Sequence, residues 1–127
     1  MRLISAGSLV YLLVVAFVMS GPAEAHHPDG QTTFRFDTFG DEQLWTNVLR
    51  MHEVLPAVDP ATALAVGLKV DVEALPRAVI RALRAGTVDL RDPAVTVELL
   101  RLNAVVGVKG TVNTLGQLTN VGVTCAL

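Results

Sequence analysis

The sequence predicts an α+β fold, mostly helical, closed by a C-terminal β-hairpin. Three observations predict it. Two Asp-Pro-Ala runs, Asp59–Ala61 and Asp92–Ala94, each place a capping Asp before a proline that suits the first helical turn. Leu44, Trp45, Val48, His52 and Leu55 fall on one stripe at helical spacing. Residues Ala104–Val123 form a Val-rich stretch interrupted at Asn113–Gly116, which reads as two strands and a four-residue turn.

The elements follow in order. Met1–Ala25 reads as a signal peptide: Arg2 is the charged start, Leu9–Met19 the apolar run, and Ala23-Glu24-Ala25 an A-x-A cleavage site. Cleavage there leaves His26–Leu127 as one domain at most, with no stable membrane span. His26–Thr32 is a polar lead-in. Thr33–Asp37 alternates Phe34 and Phe36 with polar neighbours, which predicts a short strand. Thr38–Asp41 fits a capping box, opening a helix that Pro56 stops at about Leu55. A second helix runs from Asp59 to Gly67, and Leu68–Val72 is extended. A third runs from Glu73 to Ala85 with Gly86 behind it, its start free to slip to Pro76. A fourth runs from Asp92 to about Leu102. In the hairpin, Val108 faces Val121 and Val106 faces Val123, delivering Cys125 to the edge of the core.

The chain carries a net charge of −2, with no basic face of the kind nucleic acid requires. Ser5, Ser8, Ser20 and Tyr11 all lie in the leader, so the mature chain has no serine nucleophile. Cys125 is the single cysteine, and exported thiols usually pair. It reads as a small buried residue, as half of an intermolecular disulfide, or as one thiol of a larger motif. Thr124 before it is a good helix N-cap residue. A Cys125–His52 nucleophile pair has no nameable orienting partner.

His52 lies within the apolar stripe and reads as a core histidine or a ligand; Met51 beside it reads as core filler or an axial ligand. His26 and His27 offer a copper-binding alternative: cleavage after Ala25 would free the His26 amine, which with its imidazole and His52 as a third nitrogen can chelate copper, the other reading being a solvated N-terminus. Arg77, Arg81 and Arg84 share one helix face, either solvated or able to dock an acidic partner.

Cys125-Ala126-Leu127 matches the opening of C-x-x-C-H, the c-type haem-attachment motif. Phe36–Trp45, Pro60–Val72, Leu102–Gly110 and Gly122–Leu127 together resemble the N-terminal part of a family of exported bacterial cytochrome c-like proteins. In that family the last run continues into the second Cys and the His. The resemblance implies that 26–127 is the N-terminal segment of such a protein, interrupted within its motif. It implies covalent haem c, an electron carrier rather than an enzyme, an unidentified redox partner protein, and a periplasmic or secreted location. Cys125 would be the first haem-attachment thiol, and His52 a pocket residue or distal ligand. The alternative expectation is an exported structural or interaction module without a cofactor.

Overall fold

The computed structural model describes residues 29–127. The expected leader, its cleavage site, and His26 and His27 lie outside the described residues. The fold is α+β and mostly helical, with a two-stranded antiparallel C-terminal hairpin. No helix among the described residues is long and apolar enough to cross a membrane.

The first element corrects an expectation. Thr33–Asp37 is not a strand; Gly30–Phe36 is a helix, α1. Asp29 caps it, accepting from the Gln31 N–H and the Thr32 hydroxyl. Alternation over five residues fits either geometry, and the cap decides it.

The expected helix from Thr38 to Leu55 is also broken. Gln43–Val48 is π-helical, with the Leu49 N–H donating to the Leu44 carbonyl five residues back. Arg50 then turns left-handed, at φ 53°. Beyond it lie α2, Met51–Val54, and a 3₁₀ turn, Leu55–Ala57. The wider π turn changes which side chains face inward. Thr46 is buried, whereas Leu44 and Val48 of the expected stripe are exposed. Trp45, Met51 and Leu55 still pack on the core.

The two Asp-Pro starts hold. α3 is Pro60–Ala65, with Asp59 accepting from the Thr62 N–H at 2.9 Å. α5 is Pro93–Arg101, with Asp92 accepting from the Ala94 N–H at 2.9 Å. Between them α4, Arg77–Arg84, starts just after Pro76. Gly67 and Gly86 end α3 and α4 at positive φ.

β1 (Val108–Val112) and β2 (Leu118–Val123) pair with Val108 opposite Val123 and Gly110 opposite Val121. The expected register is therefore wrong by two residues. The cause is a bulge between Thr111 and Val112, together with a turn that extends to Gln117. There the Asn113 side chain accepts from the N–H groups of Leu115 and Gln117. A slip of two leaves each side chain on its original face, so Val121 and Val123 stay buried. The core joins them to Leu75, Leu99, Leu100, Ala104, Val105 and Leu118. Val70 bridges Val105, fixing the extended segment before α4 against the segment that leads into β1.

Candidate functional site

Cys125 directly follows the most tightly held part of the hairpin. Thr124 is 2% exposed. It bridges Thr38 on one side, and its N–H donates to the Gly107 carbonyl at 3.0 Å on the other. One residue earlier, the Val123 carbonyl accepts from the Phe39 N–H, and the Val123 N–H donates to Asp41 Oδ1 at 3.1 Å. Asp41 Oδ2 accepts from the Trp45 indole at 2.7 Å. Thr38 donates its hydroxyl to Glu42. So Asp41 reaches forward to an indole and across to a strand, where a capping box would have turned it back onto Thr38. Thr46 adds a further tie: its hydroxyl accepts from the Val121 N–H at 3.0 Å and donates to Asn120 Oδ1 at 2.6 Å. These strand contacts join residues 75 and 82 positions apart, so no local pattern announces them.

After Thr124 the chain turns. The Thr124 hydroxyl accepts from the Ala126 N–H, as an N-cap does, and its carbonyl accepts from the Leu127 N–H. Leu127 comes so close to Gly107 that a side chain at 107 would collide with its backbone. Cys125 itself is exposed and unpaired among the described residues. The expectation that the hairpin aims this thiol at the core is corrected. Val121 and Val123 share the inward face, and strict alternation would bring Cys125 to that face as well. β2 ends at Val123, and the turn that follows Thr124 leaves Cys125 exposed instead.

His52 sits on α2, which packs against β2. Its Nε2 lies 3.6 Å from Glu53 Oε1, and its buried Nδ1 has no hydrogen-bond partner. It is not the backbone-bonded core histidine that a bland reading of the stripe suggests. Met51 packs on the core. Among the described residues, no three His, Cys, Asp or Glu side chains are grouped to hold a metal ion. For haem c the residues fit in one respect: Cys125 is an exposed thiol of the kind covalent attachment requires, while its neighbours Thr124, Ala126 and Leu127 carry no iron ligand.

Compared with protein-family models, curated proteins and solved structures, the chain matches none.

Two apolar spaces lie elsewhere. A cavity of about 50 Å³ between α3, α5 and β1 is lined by Leu55, Leu64, Val70, Leu99 and Val108, with the Thr96 hydroxyl unpartnered there. A groove of about 210 Å³ runs beneath α4, against Val79, Leu83 and Leu90. Arg77, Arg81 and Arg84 are exposed on α4, and none is ion-paired among the described residues.

Proposed function

We propose that this chain is the N-terminal part of an exported c-type cytochrome, and that Cys125 forms one of the two thioether bonds to haem c. The observation that carries the reading is the exposure of Cys125 directly after a residue held from both sides. Attachment needs a thiol that a haem vinyl group can reach. The sulfur bonds to one vinyl carbon, the thiol proton ends on the other, and no oxidant is consumed. An anchored strand end holds that sulfur near one position and lowers the ordering entropy of the encounter.

When bound, the haem supplies one-electron transfer between its two iron oxidation states. The residues described here position it. Asp41, Thr46 and Thr38 fix the end of β2, and Cys125 projects from it. His52, the one imidazole among the described residues, keeps Nδ1 unpartnered and is the candidate pocket residue or distal ligand. The leader reading supports a periplasmic or secreted electron carrier that serves a redox partner protein. Nothing in its charge suits it to nucleic acid.

The test is export of the complete natural gene product in a bacterium with c-type cytochrome maturation. The expected product starts at His26, retains haem after acid-acetone extraction, and loses one thioether on Cys125→Ala. A folded, exported product without haem would favour the cofactor-free structural or interaction module instead.

A further inference from the structure

Helix α4 is built against the usual rules for a stable helix at its start. Its N-cap is Pro76, with no side-chain cap, and its first turn holds no acidic residue. Arg77 occupies the first helical position, where the helix dipole opposes a cation. α3 and α5, by contrast, each begin with a capping Asp. Arg81 and Arg84 at the C-terminal end do suit the dipole, but Arg77 does not. Helix stability therefore does not explain the row as a whole.

The three arginines form a row on one helix, whereas the other exposed cations without a carboxylate partner among the described residues, Lys69, Arg91 and Lys109, lie singly on separate segments. Arg35, Arg50 and Arg101 each hold a carboxylate. Arg77, Arg81 and Arg84 are exposed and hold none among the described residues. Their i, i+4, i+7 spacing gives a row about 10 Å long at 1.5 Å per residue. The chain as a whole is net negative, so the row is a local positive field on an acidic molecule.

We propose that Arg77, Arg81 and Arg84 form a docking stripe for an acidic surface of a partner protein. Guanidinium groups pair carboxylates in a two-pronged fork, and three at this spacing match carboxylates along one helix face. A lipid surface fits less well. The exposed side of α4 offers Ala78 between its arginines and Ala85 just past its end, while Val79, Ile80 and Leu83 turn toward the core, leaving no large apolar group to insert. The stripe lies on α4, and it stands whether or not the chain carries haem.

The test uses the folded protein and a fluorescent polyglutamate peptide at about 0.15 M salt, where exposed charges further than about 8 Å apart are screened. Binding is expected, weakening as salt rises. The triple variant Arg77→Gln, Arg81→Gln, Arg84→Gln should bind about tenfold or more weakly. Arg91→Gln with Lys109→Gln, which removes exposed charge elsewhere, should bind as the parent does. Circular dichroism of both variants checks that the fold persists. Equal binding by the triple variant, or equal loss in the control, would overturn the stripe. So would phosphatidylglycerol vesicles binding where polyglutamate does not, which would assign the row to a membrane.

Discussion

Asp41 Oδ1 accepts the Val123 backbone N–H at 3.1 Å, while its second oxygen takes the Trp45 indole N–H at 2.7 Å. One carboxylate thus ties the π-helical segment to the end of β2. It also links the only tryptophan of the chain to the strand that leads to Cys125. Asp41→Ala leaves the N–H of buried Val123 without its acceptor, which costs about 1–3 kcal/mol. The expected outcome is a lower urea midpoint and altered Trp45 emission in the native state. A variant with unchanged emission and midpoint would mean that the contact contributes nothing.

Thr46 makes the second tie, and here size and polarity separate. Thr46→Val keeps the shape of the side chain but removes the hydroxyl that accepts from Val121 and donates to Asn120. The buried Val121 N–H then has no partner, again a loss of about 1–3 kcal/mol. Thr46→Ser, which keeps the hydroxyl and drops a methyl group, should lose less. If valine proves as stable as threonine in denaturant titration, the hydrogen bonds are not what holds this turn.

These two residues show where sequence reasoning reaches its limit. Asp59, Asp92, Gly67 and Gly86 act within one turn of themselves, and α3, α4 and α5 were legible from them. The π-helical turn depends on a strand some 75 residues away, so a periodicity of 3.6 placed Leu44 and Val48 inside when they are exposed. The hairpin was legible, but its register was not. The bulge at Thr111/Val112 has no glycine to mark it. Cys125 stood out as the candidate site residue, but strand alternation pointed it inward, and its exposure follows only from the turn that Thr124 makes with Ala126 and Leu127.

Acid should weaken the fold in a predictable direction. Hydrogen bonds from Arg101 hold the Glu98 carboxyl below its usual range, those from Thr62 do so for Asp59, and the Arg50 hydrogen bond does so for Glu53. A carboxyl depressed in the folded state contributes stability above its unfolded value, near pH 4, and loses it as pH falls through the folded value. Stability should therefore be flat from neutral pH to about 5 and decline below about 4. All three groups are largely solvated, so the decline should be gentle and should shrink with salt. Urea midpoints measured across that range would check it. A midpoint that rises on acidification would contradict the sign.

Arg35 governs whether α1 stays on the body of the protein. α1 buries no residue of its own. Its long-range polar anchorage is the Arg35 guanidinium, which donates to the Val105 carbonyl at 3.3 Å and the Asn103 carbonyl at 3.2 Å, and pairs with Asp71 at 3.4 Å. The same group stacks 4.9 Å from the Phe36 ring centre. A lysine ends in one compact ammonium and lacks the two separated nitrogens with which the guanidinium serves these acceptors. Arg35→Lys and Arg35→Ala should both release α1 while leaving the hairpin core in place. Hydrogen exchange should quicken over Gly30–Phe36 and stay slow at Val121 and Val123, because a weakly held element opens locally before the whole molecule does. Uniform acceleration across the chain would instead make α1 part of the global folding unit. Unchanged exchange over Gly30–Phe36 would show that the Asp29 cap alone keeps it ordered.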